Sequence, residues 1–194
     1  SVVVVSNDVV RNIAATDVRD YAGILVMRRA PVPADNADQP TGVYIERNNV
    51  SGFHRKPAGS TGDGFGVVVA GENHRVLNNT ATDCDIAYQV QGGNTANVQS
   101  TPYFDRDNAS SGGALLAGNV NAGNQVGFRA VGATAKAILE GNTLTGDTQA
   151  GVQVTLGAIV DAGDCTGANV TGLGLGSGLN GSSAGGNDLS GYVF

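Results

Sequence analysis

Two stretches of this chain, ILEGNTLTGDTQAGVQV at 138–154 and IVDAGDCTGANVTGLGL at 159–175, superimpose at an offset of 21 residues without a gap. Ile138 meets Ile159, Leu139 meets Val160 and Glu140 meets Asp161. Leu144 then meets Cys165, Thr145 and Gly146 meet Thr166 and Gly167, and Gly151 and Val152 meet Gly172 and Leu173. Size and polarity agree almost throughout, so the chain repeats itself.

The unit extends upstream as an apolar residue, two variable positions and an asparagine. The asparagine position is filled by Asn12, Asn48, Asn79, Asn119 and Asn142, then by Gly163 and Asn187. Three residues earlier stand Val9, Ile45, Val76, Leu116, Leu139, Val160 and Ala184; two residues later stand Ala14, Val50, Ala81, Asn121, Leu144, Cys165 and Leu189. A second strand-like run follows in most units: GILV at 23–26, GVVV at 66–69, IAYQV at 86–90, GFRAV at 127–131 and GVQV at 151–154. Short strands, glycine turns and a recurrent asparagine describe the coils of a β-solenoid. Each coil pairs with its neighbours as parallel strands, and residues at one position stack into a ladder. An asparagine suits the turn because it tolerates the left-handed conformation. The competing reading is a β-sandwich with accidental internal similarity.

Composition points the same way. The 194 residues include 30 Gly and 18 Asn but no Trp and only two Lys. Gly, Asn and Asp are poor helix formers, which excludes a helix bundle. A hydrophobic share of 41% is enough for a core. The net charge of −6 argues against a nucleic-acid partner, and the longest apolar run, 2–5, is too short to span a membrane. The expected organisation is one domain over 1–194, whole or cut from a longer chain, since it opens on Ser1.

The repeated I-L-E-G-N-T-L-T-G…G-V-Q-V pattern resembles the right-handed parallel β-helix superfamily that includes pectate-lyase-like proteins. The resemblance covers most of the chain and lies in the repeat, not in the motif of any member. It implies an all-β, right-handed parallel β-helix of about seven coils, with three sheets and an asparagine ladder at one turn. It carries over no active site, because that superfamily holds lyases, hydrolases, epimerases, tailspikes, adhesins and structural modules.

The Asn-to-Asn spacings run 36, 31, 40, 23, 21 and 24, so the early units carry insertions at 28–41, 54–63 and 91–113. The first and third leave the same corner, a pattern that often marks a binding face. Within the third, Tyr103, Phe104, Asp105, Arg106, Asp107 and Asn108 set aromatic rings beside polar groups, as sugar contact requires. Asp105 and Asp107 could also hold Ca²⁺, although Arg106 opposes a cation. No other cofactor is expected.

Asp83 and Asp85 are the best carboxylate pair. On an extended segment they share a face about 6.6 Å apart, within reach of paired-carboxylate hydrolysis. Asp83 also matches the turn residue Gly146, where Asp is an ordinary choice. His74 and Arg75 adjoin a strand and supply the residue types of a lyase base, or simply a solvated charge cluster. Cys165 is expected to face the core and Cys84 to be the more accessible, about 14 Å away along the coils and too far for a disulfide.

These features point to a non-catalytic module of the extracellular, cell or virion surface that contacts polysaccharide through its insertions. The rivals are a structural or adhesin subunit that self-associates end to end, and a polysaccharide lyase or glycoside hydrolase.

Overall fold

The computed structural model describes residues 2–11, 20–27, 40–54, 63–92, 113–132 and 135–161, with short strands at 181–182, 188–189 and 192–193. Among them there is no helix. The first rung is β1 (Val3–Val5), β2 (Asp8–Val10) and β3 (Tyr21–Val26), which enter a first, a second and a third sheet. The chain then returns to the first sheet and repeats the circuit with β4 (Tyr44–Glu46), β5 (Asn49–Ser51) and β6 (Gly64–Val69). The following rungs are β7 (Glu72–Leu77), β8 (Thr80–Thr82) and β9 (Ile86–Gln91), then β10 (Gly113–Ala117), β11 (Val120–Ala122) and β12 (Val126–Val131). A fifth is β13 (Lys136–Glu140), β14 (Thr143–Leu144) and β15 (Ala150–Thr155). The last holds β16 (Ile159–Asp161), β17 (Gly181–Ser182), β18 (Asp188–Leu189) and β19 (Tyr192–Val193). All pairings are parallel except β17 with β18, which excludes a sandwich of antiparallel sheets.

Register explains the apolar columns. Val4, Ile45, Val76, Leu116 and Leu139 stack in the first sheet and face the core. Ile24, Val67, Tyr88, Phe128 and Val152 do the same in the third. Fully burying one such aliphatic side chain contributes about 1.5–3 kcal/mol. β6 and β9 are buried along their whole length, so both faces of the third sheet are covered there. That accounts for the continuous apolar run in GFGVVV, which has no polar alternation.

The corner between the first and second sheets is built from asparagines. Asn79 N–H and Nδ2 both donate to Asn119 Oδ1 at 3.0 Å, and Nδ2 also donates to the Ile45 carbonyl at 2.9 Å. Asn79 Oδ1 in turn accepts from Asn48 N–H and Nδ2, each at 2.9 Å. Asn119 repeats the pattern onto Asn142 Oδ1 at 3.0 and 2.9 Å. Asn48, Asn79, Asn119 and Asn142 are all buried.

The first member of the column is Asn7, not Asn12: Asn7 N–H and Nδ2 donate to Asn48 Oδ1 at 3.0 and 2.9 Å. The pattern could not separate them, because Asn7 also has an apolar residue three before (Val4) and two after (Val9). Asn12 and Asn187 lie outside the described residues. The left-handed residue is also not the asparagine but the one before it. Ser6, Arg47, Asn78, Gly118 and Gly141 have φ of 55, 54, 55, 63 and 60°.

The 21-residue offset is corrected too. β16 sets Ile159 against Lys136 and Val160 against Ala137, so Ile138 faces Asp161 and not Ile159. β14 pairs directly with β18, Leu144 opposite Leu189, and Gly163 and Cys165 lie outside the described residues. The described strands therefore make six rungs where seven were expected. A two-residue slip keeps the same side chains on the same face, which is why composition matched in the wrong register.

The insertions at 28–41 and 91–113 both connect a third-sheet strand to the next first-sheet strand, β3 to β4 and β9 to β10. The insertion at 54–63 connects β5 to β6, a different corner. Most residues of all three lie outside the described set.

Asn79→Ala would strand the Asn48 donors and the Ile45 carbonyl. A loss of about 3 kcal/mol is expected in urea unfolding, against about 1 kcal/mol or less for the exposed Asn7→Ala. Leu156 (φ 54°) and Gly157 (φ 79°) form a tight turn between β15 and β16. Leu156→Gly should raise stability by about 1 kcal/mol in the same measurement.

Candidate binding face

Four residues after the column members Asn48, Asn79, Asn119 and Asn142 stand Gly52, Asp83, Gly123 and Gly146, all with positive φ. Asp83 is therefore a turn residue (φ 54°), and its side chain is 69% exposed, 3.6 Å from the exposed His54 Nε2. Such a solvated pair contributes little. Asp85 is only 1% exposed. Its Oδ2 accepts the Gly64 N–H and its Oδ1 accepts Gln125 Nε2, both at 2.8 Å. The left-handed turn breaks the extended geometry, so the two carboxylates do not share a face.

The same turn directs Cys84 inward. Cys84 is buried and free, which corrects the expected accessibility. Its N–H donates to Asn124 Oδ1 at 2.9 Å and its Sγ to the Thr82 carbonyl at 3.4 Å. Burial pushes its thiol up to about 12. Cys165 lies outside the described residues. His74 and Arg75 part in the same way, through strand alternation. His74 is buried, and Arg75 is exposed with its guanidinium 5.7 Å from the Tyr44 ring. Tyr103, Phe104, Asp105, Arg106, Asp107 and Asn108 lie outside the described residues. Among the described residues, no group of three or more His, Cys, Asp or Glu could hold a metal ion.

The structure does assemble a polar row on the outer face of the third sheet. Register sets Val68, Gln89, Arg129 and Gln153 side by side. Arg129 Nε donates to Gln89 Oε1 at 2.5 Å, and Gln89 Nε2 donates to Gln91 Oε1 at 3.0 Å. The guanidinium also lies 3.5 Å from Asp63 Oδ2 and 5.4 Å from the Phe65 ring centroid. Phe65 belongs to a second apolar cluster with Val68, Ile86 and Val126. Beside this row, Gln149 Nε2 donates to Gln125 Oε1 at 3.0 Å, and Gln125 donates on to Asp85. The strand sequences carry the signal for the row. IAYQV, GFRAV and GVQV each set one polar residue, Gln89, Arg129 or Gln153, at the same position of an apolar run.

Gln89, Gln91 and Phe65 are buried under this row, so the groups that reach solvent are the half-buried Arg129, Asp63, Gln125 and Gln153 and the exposed Gln149. Those groups can anchor a hydroxyl-rich ligand or a chain segment by hydrogen bonds. No helix among the described residues is long and apolar enough to cross a membrane. The chain matches no protein-family model, no curated protein and no solved structure.

Burial also raises Tyr88 well above its ordinary value, and its hydroxyl donates to the Asn79 and Val120 carbonyls, each 2.9 Å away. Cys84 and Tyr88 both ionise more readily once unfolded. Their contribution is therefore intact below the ordinary thiol value of 9.0 and is lost as pH rises towards about 12. Urea unfolding should show stability falling above about pH 9, and Cys84→Ala should flatten the first part of that fall.

Proposed function

We propose that this chain is a right-handed parallel β-helix module of a cell or virion surface that contacts polysaccharide without transforming it. The three-sheet circuit, the parallel pairing and the asparagine column support the architecture. The observation that carries the function is the half-buried Arg129–Asp63 pair, set beside the half-buried Gln153 and Gln125 and the exposed Gln149. It lies on the sheet whose strands β3 and β9 lead into the 28–41 and 91–113 insertions. Guanidinium, carboxylate and amides match the hydroxyls of a glycan. The non-catalytic reading is supported by the separation of Asp83 in solvent from Asp85 in its amide bonds.

A glycan array followed by calorimetry tests the reading. The intact chain should bind a subset of polysaccharides, and Arg129→Ala should weaken that binding about tenfold or more while the fold is kept. Absence of binding across the array would sink the proposal. New reducing ends, or unsaturated products absorbing in the near ultraviolet, would replace it with a hydrolase or a lyase.

Self-association is the second reading, favoured by the first rung. Val2, Val3, Val10 and Leu25 are exposed there, and Asn7 Oδ1 accepts no hydrogen bond among the described residues. At the other end of the second sheet, β17 runs antiparallel along β18. Light scattering should then show mass rising with concentration, and a constant monomer mass removes this reading.

A further inference from the structure

We propose that His74 is an acid-sensitive latch on the corner where the chain passes from the third sheet back to the first. His74 lies on β7 in register with Ala114 of β10 and is 1% exposed. Both ring nitrogens are committed. Nδ1 faces the Val43 N–H at 3.3 Å, and Nε2 faces the Ala70 carbonyl at 3.0 Å. An N–H can only donate and a carbonyl can only accept, so these partners select the neutral tautomer with its proton on Nε2.

The two partners belong to different sheets. Ala70 follows β6, whose last residue is Val69, and Val43 immediately precedes β4. One imidazole therefore ties the end of a third-sheet strand to the segment 40–43, where the 28–41 insertion rejoins the first sheet. Backbone bonds guide that segment onto β7: Gly42 N–H to the Glu72 carbonyl at 2.9 Å, Glu72 N–H to the Pro40 carbonyl at 3.0 Å, and Arg75 N–H to the Val43 carbonyl at 2.9 Å. None of them holds the Val43 N–H. That bond belongs to His74.

Protonation of Nδ1 sets an N–H against an N–H and leaves a cation in a buried site. The described neighbours offer no compensating charge. Val43 stands on the β4 side, Ala114 on β10, and Ala70 and Gly71 at the corner. On β7 itself the charged residues are Glu72, beside the left-handed Asn73, and Arg75, exposed over Tyr44. Burial lowers His74 below its ordinary value of 6.5, against the opposing effect of the Ala70 bond. The folded form thus holds its proton less tightly than the unfolded one. The latch is intact above about pH 6.5 and is lost as pH falls through the lowered folded value.

Residue-resolved amide exchange by NMR, read with the His74 ring nitrogen shifts, tests this on the whole chain at about pH 7.5 and about pH 5. The Nε2–H tautomer is expected at the higher pH. At the lower pH, Val43 protection, corrected for intrinsic exchange, should fall about tenfold or more while that of Val120 holds. His74→Gln should make Val43 protection independent of pH, whereas His54→Ala should leave the response intact. An Nδ1–H tautomer at neutral pH, or Val43 protection that does not change, overturns the proposal. If His74→Gln does not fold, the tautomer and the Val43 amide of the native chain decide alone.

Discussion

A buried side-chain amide has two donor hydrogens and an acceptor oxygen, and every one must be met inside the protein. Asn79 meets them by bonding to the rung before it and the rung after it, through Ile45, Asn48 and Asn119. That single arrangement sets the height of each rung, the register of the first and second sheets and the point at which the chain bends. The apolar columns supply most of the burial, but they would tolerate a slip of two residues. The asparagine column would not, because a slip leaves several polar groups unpaired in the core.

The bend needs a second ingredient. The residue before each column asparagine, and the fourth residue after Asn48, Asn79, Asn119 and Asn142, take left-handed φ, so two consecutive corners are set by local backbone choice. Glycine does this without strain at Gly118, Gly123, Gly141 and Gly146. Ser6 and Arg47 do it at about 1–2 kcal/mol each, and Asn78 and Asp83, which tolerate this conformation, at less, against which the buried bonds they position must be weighed. Asp83 thus owes its place to geometry, and its neighbour Cys84 faces inward for the same reason.

The asparagines and the apolar residues flanking Asn48, Asn79, Asn119 and Asn142 were readable because burial repeats them at fixed offsets. What the chain did not disclose follows from the same physics. Asn7 and Asn12 satisfy one pattern equally, and only the bond to Asn48 Oδ1 separates them. Ile138 and Ile159 look alike, yet parity allows a register two residues away. Asp83 and Asp85 look like a pair until the sign of one φ is known. Gln89 and Arg129 sat in view inside apolar strands, but their contact with Asp63 joins residues 66 positions apart and has no local signature.

The asparagine bonds join residues 41, 31, 40 and 23 positions apart along the chain. Loop-closure entropy grows only with the logarithm of length, so the longest of these closures costs less than about 0.6 kcal/mol more than the shortest. Insertions at the corners are therefore nearly neutral for the equilibrium, and their length is free to change without disturbing the column. Kinetics is less forgiving, because distant contacts form slowly. Sequence separation alone therefore favours the closure from Asn119 to Asn142, the shortest of the four, as the first to form.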